Sequence, residues 1–272
     1  MPTIVHRTEC VSFPRSGHHL LEGLLLRYFG EQGMRYCEQY AHPERRLDLD
    51  PETRFQKNHD FDLDTPIRSD RQYIVQIRYP LDSLVSLFKL NVKQSGLPDT
   101  PAAWTNFAIN KIGYWMRFYK KWVLDHVDRR LVVNYADLVD EPVAMLTQVV
   151  CFLGETEPDM DRIREACAAE SIHVRNDYKC FNHYGAQFFT LLKGYFCAVP
   201  GVDVEADRLL IPQQQPTESG RLAREMRDTA EALRRLAFQV DHQFPQPSGH
   251  NENGWRDASW AALASLSDST RR

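Results

Sequence analysis

The segment TECVSFPRSGHHLLEGLLLRYF, residues 8–29, decides the fold of this chain. Residues 8–13 have the pattern of a short buried strand, and a proline and a glycine end it. Residues 18–29 then carry apolar side chains at helical spacing. A strand, a tight loop and a helix in this order place backbone amides and a helix N-terminus around the loop. The loop is therefore a candidate anion site, to which Arg15 adds positive charge.

The same alternation continues through the first 155 residues. We predict further strands at residues 53–58, 72–77 and 131–134, and helices at residues 81–90, 104–122 and 142–153. The aromatic face of the helix at 104–122 is interpreted as core packing. Strands that alternate with helices indicate an α/β fold of three layers, in which helices flank a mostly parallel central sheet on both faces.

Composition excludes several classes of protein. The chain has 272 residues, 43% of them hydrophobic, and a formal net charge of -4, so it has neither the composition of a disordered chain nor a global basic field for nucleic acid. No apolar run approaches the roughly 20 residues of a membrane span, and the first residues lack the pattern of a secretory signal. Six scattered cysteines suit reduced thiols. We therefore expect a cytoplasmic protein without a transmembrane segment.

The domain organisation is predicted to be simple. Residues 1–244 are interpreted as one domain, with a last amphipathic helix at residues 219–238. Residues 245–272 are rich in turn-forming and polar residues, which is typical of a mobile tail.

The loop SFPRSGHH, residues 12–19, differs from the phosphate loop of nucleotide kinases. Of the pattern GxxxxGK followed by a hydroxyl residue, only Gly17 is kept. His18 stands in place of the lysine, and His19 stands in place of the hydroxyl residue that binds Mg²⁺. These replacements disfavour a kinase-like phosphotransferase, which remains an alternative, as does a non-catalytic nucleotide-binding protein.

Four segments in order resemble the sulfotransferases that use 3'-phosphoadenosine 5'-phosphosulfate (PAPS). The loop FPRSG is similar to the family's 5'-phosphosulfate loop, and KNH at residues 57–59 to its catalytic lysine and histidine element. RYPLDSLVS at residues 78–86 matches the 3'-phosphate signature R-x-P-x-D-x-x-x-S. NYADLVDEP, from residue 134, resembles a further family segment and is followed by a helix that ends in FLG. The resemblance implies a P-loop-like fold and PAPS as sulfate donor.

The resemblance also implies roles for individual residues. His59 would be the general base, and Lys57 would stabilise the bridging oxygen of the departing phosphate. The implied ligands of the 5'-phosphosulfate are Arg15, Ser16, Gly17, His18 and His19; those of the 3'-phosphate are Arg78 and Ser86; Tyr135 and Ser171 would lie near the adenine; and Lys193 with Gly194 is the nearest match to the family's C-terminal 3'-phosphate clamp. Leu20 stands where the family often has tryptophan.

Elementary chemistry agrees with these assignments. Two phosphate sites at the same edge of a parallel sheet fit a nucleoside that carries phosphates at both ends. Residues 57 and 59 are two apart, so a strand would present both on one face. His59, Asp60 and Asp62 are potential metal ligands, but neighbours on a strand point to opposite sides, and sulfuryl transfer needs no metal in principle. The acceptor stays open: the sulfuryl group would pass to a hydroxyl or an amine, and a carbohydrate, a phenol or a lipid would fit equally well.

Overall fold

The computed structural model describes residues 2–38, 52–125, 127, 129–170 and 178–211. The helix predicted at residues 219–238, the tail at 245–272 and Ser171 lie outside these ranges. The described residues group into two compact units, one within Met1–Ser83 and Phe118–Asn176, the other within Leu84–Arg117 and Asp177–Arg272. The organisation of residues 1–244 as one domain stays a prediction.

A five-stranded parallel sheet forms the centre of the first unit. Its strands, in chain order, are β1 (Thr8–Ser12), β2 (Tyr36–Glu38), β3 (Phe55–Asn58), β4 (Gln72–Ile77) and β5 (Arg130–Asn134). Their order across the sheet is β2-β3-β1-β4-β5, and every neighbouring pair is parallel. The carboxyl ends of the strands therefore share one edge.

Helices follow the strands in the order that the sequence predicts. They are α1 (His18–Met34), α2 (Pro80–Ser95), α3 (Pro101–Tyr119) with a π-helical turn at Lys120–Leu124, α4 (Tyr135–Asp140), α5 (Pro142–Phe152), α6 (Met160–Ala169) and α7 (Ala186–Phe196); a 3-10 turn, Tyr178–Cys180, precedes α7. Two short strands, β6 (Val202–Asp203) and β7 (Arg208–Leu209), pair in antiparallel orientation. Each helix in the described ranges is too short or too polar to cross a membrane.

Both faces of the central sheet are covered, which confirms the predicted α/β class. On one face Cys10 and Ile74 join a core with the leucines of α1 and the apolar residues of α5 and α6. On the other face the Tyr73 ring lies 5.3 Å from the Trp122 ring, between centroids. Burial on both faces is typical of a parallel sheet between helices, and here it extends to polar strand residues such as Glu9 and Gln76.

Aromatic rings form the core of the second unit. Trp104 is 1% exposed. Its ring stacks on Phe189 at 5.7 Å and meets the edge of Phe181 at 4.9 Å. Phe189 stacks in turn on Tyr178 at 5.3 Å. The aromatic face of α3 thus contributes to the core, as its helical spacing predicts.

A buried ion pair fixes the strands on which the functional side chains stand. The side chains of Glu9 on β1 and Arg71 before β4 are both 0% exposed, and the guanidinium donates to the carboxylate at 3.4 Å. The other oxygen of Glu9 accepts a hydrogen bond from the Asn58 amide, 2.8 Å away, at the end of β3. One carboxylate therefore joins three neighbouring strands.

We predict that Arg71→Met lowers the free energy of unfolding by about 3–5 kcal/mol, because it leaves the Glu9 carboxylate buried without the guanidinium. Chemical denaturation would measure the loss. Arg68→Met is the matched control: Arg68 pairs with Asp70 at the surface and is 43% exposed, so its loss should hardly change the denaturation midpoint. A cost below about 1 kcal/mol for Arg71→Met would contradict this account of the ion pair.

Candidate active site

Four predicted site segments lie at the carboxyl edge of the parallel sheet. The loop at residues 13–17 follows β1, His59 follows β3, Arg78 follows β4 and Tyr135 follows β5. The pairing register places Ser12 opposite Gln76 and Ile77 opposite Asn134. Four consecutive strands of the sheet thus end together, which is where ligands bind in open α/β sheets.

The loop at residues 13–17 forms a cradle of polar groups. The amide of Ser16 donates to the carbonyl of Phe13 at 3.1 Å, and Arg15 and Gly17 adopt left-handed conformations with φ of 71° and 87°. The Ser16 hydroxyl is buried and has no hydrogen-bond partner among the described residues. Gly17, at the N-cap of α1, has no side chain that could cap the first turn, and that turn holds no acidic residue. Its amides are therefore available to an anion.

Tyr135 joins the loop to Arg78. A Cβ placed on Gly17 would lie 2.3 Å from Cδ2 of Tyr135, so the ring needs a glycine at this position. The Arg78 guanidinium lies 4.5 Å from the centre of the same ring. The Gln76 side chain donates to the Gly17 carbonyl at 3.3 Å. The predicted 5'-phosphosulfate loop, adenine contact and 3'-phosphate arginine are thus brought together.

Arg78 is held at the start of α2. Its guanidinium Nε lies 4.0 Å from the Asp82 carboxylate, one helical turn away. The Ser83 hydroxyl donates to the Arg78 carbonyl at 3.3 Å. Arg78 is 5% exposed. A buried guanidinium at the end of a strand favours a phosphate ligand over a surface ion pair.

Hydrogen bonding to Ser12 defines the tautomer of His59. Its Nδ1 lies 2.7 Å from the Ser12 carbonyl oxygen and 3.1 Å from the Ser12 hydroxyl. A carbonyl oxygen only accepts, so Nδ1 must carry the proton. In the neutral ring the lone pair is then on Nε2, which can accept a proton from a substrate. The role of His59 as general base stays a prediction.

The sequence predicts that Lys57 and His59 share one face of a strand, but β3 ends at Asn58, so Lys57 lies on the strand and His59 lies one residue beyond it. Lys57 pairs in register with Cys10 and is 1% exposed. His59 instead follows the strand and turns toward Ser12 of β1. The role of Lys57 on the bridging oxygen stays a prediction.

The sequence predicts that the His18 imidazole binds the phosphosulfate, but the structure buries this ring in the core. It is 5% exposed, with Nδ1 3.7 Å from the Cys10 sulfur and Nε2 3.4 Å from the Tyr36 hydroxyl. Burial lowers the pKa of His18 well below its ordinary value, and the charges of Lys57 and His59 lower it further. The His18 side chain is thus a neutral core group. Its backbone amide, in the first turn of α1, is what it offers to an anion.

His19 faces solvent, with its side chain 70% exposed and its Nδ1 3.4 Å from the Glu22 carboxylate. Its role on the phosphosulfate stays a prediction. Asp60 is bound by protein donors rather than poised for a metal: its carboxylate accepts hydrogen bonds from Lys121 at 2.7 Å and from Trp122 at 2.8 Å. Across the described ranges, no group of three or more potential ligands forms a metal site.

Three predicted residues belong to the second unit, and their roles stay predictions. Ser86 lies in α2 and is 5% exposed. Lys193 and Gly194 lie in α7. The Lys193 ammonium donates to the Asp207 carboxylate and to the Val204 carbonyl, both at 2.7 Å. These contacts hold Lys193 within its own unit.

The arrangement at the sheet edge agrees with a family comparison. The sequence model described as "Sulfotransferase domain" matches residues 6–184, which include every one of these strands and the residues that follow them. The chain belongs to the sulfotransferase family. This confirms the family that the four sequence segments predict.

Solved sulfotransferase structures are similar to this sulfotransferase at low sequence identity. Mouse sulfotransferase SULT7A1 complexed with PAP is 16% identical; the match covers 85% of this chain and 88% of that chain, with a TM-score of 0.47. The sulfotransferase domain from the Synechococcus PCC 7002 olefin synthase is 15% identical, with 72% and 96% covered and a TM-score of 0.44. The sulfotransferase domain from the curacin biosynthetic pathway is 16% identical, with 84% and 98% covered and a TM-score of 0.34. No curated protein shows significant sequence similarity.

The buried, neutral His18 predicts a pH-dependent stability of this sulfotransferase. The unfolded chain gains a proton at His18 as the pH falls through about 6.5, whereas the folded protein does not, because its His18 pKa is lower. The free energy of unfolding should therefore decrease as the pH is lowered through this range. His18 would contribute up to about 1.4 kcal/mol per pH unit to this decrease.

His18→Gln should remove this contribution. Denaturation curves recorded between about pH 7 and pH 5 would then give a free energy of unfolding that changes less steeply with pH. His19→Gln, with its exposed side chain, is the control and should keep the wild-type slope. Equal slopes for wild type and His18→Gln would show that the imidazole is not held neutral.

Proposed function

We propose that this sulfotransferase transfers the sulfuryl group of PAPS to a hydroxyl group of an acceptor and releases adenosine 3',5'-bisphosphate. The observation that carries the proposal is the joining of two anion-binding elements by one aromatic ring. Tyr135 contacts Gly17 of the loop after β1 and lies under the Arg78 guanidinium after β4. A nucleoside with phosphates at both ends matches this arrangement.

The chain's own groups fit such a ligand. The buried Ser16 hydroxyl, which has no hydrogen-bond partner in the described part of the chain, would donate to the 5'-phosphosulfate together with the first amides of α1. Arg15, exposed in the same loop, would add charge. Arg78 would bind the 3'-phosphate, and the Tyr135 ring would contact the adenosine. A buried hydroxyl without a partner costs free energy that a bound oxyanion would recover.

His59 would act as the general base. PAPS supplies the sulfuryl group, and the acceptor oxygen forms the new bond to sulfur as the bond from sulfur to the bridging oxygen breaks. Nε2 of His59 takes the proton of the acceptor hydroxyl, while Nδ1–H keeps its hydrogen bond to the Ser12 carbonyl and stabilises the imidazolium. The Lys57 ammonium would stabilise the electron pair left on the departing phosphate.

Phe61 is the aromatic side chain that the structure offers beside His59. The two ring centroids are 5.1 Å apart, and Phe61 is 53% exposed. Trp104 and Trp115, on the aromatic face of α3, are each 1% exposed and belong to the core. We propose that the hydroxyl group of a carbohydrate, a phenol or a lipid acceptor reaches His59 by passing Phe61.

The kinase-like alternative receives no support from the site. The position of its phosphate-binding lysine is occupied by His18, whose buried ring has a lowered pKa and carries no charge at neutral pH. A neutral imidazole turned toward Cys10 and Tyr36 cannot replace that lysine. The absence of a metal requirement and the cytoplasmic location stay predictions.

Two variants should separate binding of the nucleotide from chemistry. Arg78→Ala should weaken the binding of adenosine 3',5'-bisphosphate by about 1.5–3 kcal/mol, since the 3'-phosphate loses a charged hydrogen-bond partner. His59→Ala should leave that affinity nearly unchanged and lower turnover by about 10² to 10⁴-fold, since a positioned base is lost. Calorimetric titration measures the affinity, and acceptor-dependent formation of adenosine 3',5'-bisphosphate from PAPS, with carbohydrate, phenol and lipid acceptors, measures turnover.

Unchanged affinity in Arg78→Ala would remove Arg78 from the nucleotide site. More than about a tenth of wild-type turnover in His59→Ala would place the base elsewhere, with His19 and Glu22 the next groups to test.

A further inference from the structure

The carboxylate that follows the candidate base is unusually enclosed. Asp60 comes directly after His59, and its side chain is 0% exposed. Its backbone adopts a left-handed conformation with φ of 47°, which aspartate tolerates better than most residues. A buried carboxylate at this point of the chain needs donors, because an unpaired buried charge is costly.

Both oxygens of Asp60 are occupied by donors from two directions. Oδ2 accepts hydrogen bonds from the Lys121 ammonium at 2.7 Å and from the Trp122 indole at 2.8 Å. Oδ1 accepts from the amide of Thr65 at 2.8 Å, which closes the loop at residues 60–65. Lys121 also donates to the carbonyls of Leu63 and Thr65, at 3.0 and 2.7 Å. We call Asp60, Lys121 and Trp122 the clamp.

The π-helical turn makes the clamp possible. Lys121 and Trp122 are consecutive residues of the turn at Lys120–Leu124, yet both reach the same carboxylate oxygen. Short π-helical segments are rare and often occur at functional sites. The Trp122 ring also packs on Tyr73 of β4, so the clamp is anchored to the central sheet.

A second set of bonds ties the clamp to the ion pair in the core. The amide of Asp60 donates to the Asn58 side chain at 2.7 Å, and Asn58 donates to Glu9 and to the Thr65 hydroxyl, each at 2.8 Å. The amide of the peptide that joins His59 to Asp60 is therefore held by the Asn58 side chain. The His59 ring is held by Ser12.

We propose that Asp60 is a positioning residue, which the clamp uses to hold the His59 ring against the Ser12 carbonyl in the tautomer with its lone pair on Nε2. This rests on the proposed function only in that His59 is the base. Lys121 and Trp122 act through Asp60 and are positioning residues too.

A carboxylate is required at this position. Because both Asp60 oxygens accept from donors, Asp60→Asn would turn an NH₂ group toward one of these donors, and two donors cannot form a hydrogen bond with each other. The clamp would open, the end of β3 would loosen, and His59 would lose its fixed hydrogen bond to Ser12. A ring without that bond populates both tautomers.

Nitrogen NMR of histidine in ¹⁵N-histidine-labelled protein tests the proposal without any substrate. Loss of one signal set in His59→Gln assigns the residue. We expect the Nδ1–H tautomer for wild type and a mixture of tautomers for Asp60→Asn. Asp62→Asn is the matched control, since Asp62 is exposed on the same loop, and it should keep the wild-type spectrum.

A kinetic cycle tests the same claim through turnover. Asp60→Asn should lower kcat by up to about 100-fold, because a displacement of a catalytic group by about 1 Å can reduce the rate by that factor. The KM for PAPS should stay within about twofold of wild type. Combined with His59→Ala, it should cause no further loss of kcat, because it acts through the ring that is already removed.

A folded Asp60→Asn protein with the wild-type tautomer, or an additive loss of kcat in the double variant, would overturn the proposal. If Asp60→Asn does not fold, Lys121→Gln, at a side chain 22% exposed, serves for the same measurements. The tautomer does not depend on sulfate transfer. A protein that transfers no sulfate but shows the expected spectra would refute the proposed function and keep the clamp.

Discussion

The parallel pairing of β1 with β3 on one side and β4 on the other is the constraint on which the rest of the structure depends. Because these strands run in the same direction, the loop after β1, His59 and Arg78 emerge at one edge. Antiparallel pairing would send alternate strand ends to opposite edges. Strand direction therefore determines which side chains of this sulfotransferase come together at the edge of the sheet.

Buried polar groups make that edge rigid. The Glu9 carboxylate connects β1 to Arg71 and to Asn58, and Asn58 connects to Asp60 and the clamp. Each of these groups would be costly to bury alone, and their mutual hydrogen bonds offset that cost. A base that must keep one nitrogen on a carbonyl benefits from such support, because small displacements reduce catalysis strongly.

The sequence predicts the elements that are long or strongly patterned and misses those that depend on distant contacts. The strand at 72–77 is β-branched and has the predicted bounds, whereas β2 has three residues and too little pattern to find. The sequence could have predicted the burial of His18, because His18 lies three residues before Leu21 and therefore on the apolar face of α1. The approach of Lys121 to Asp60 could not be predicted, since 61 positions separate them and no local pattern relates them.

The central claim is that one edge of the sheet binds both phosphates of a nucleoside, and calorimetric titration of the wild-type protein with three nucleotides tests it most directly. Adenosine 3',5'-bisphosphate should bind more tightly than adenosine 5'-phosphate and more tightly than adenosine 3'-phosphate. Each lost phosphate should weaken binding by about tenfold or more, the scale of about 1.4 kcal/mol for one charged hydrogen bond. Equal affinity for the bisphosphate and for either monophosphate would contradict the account.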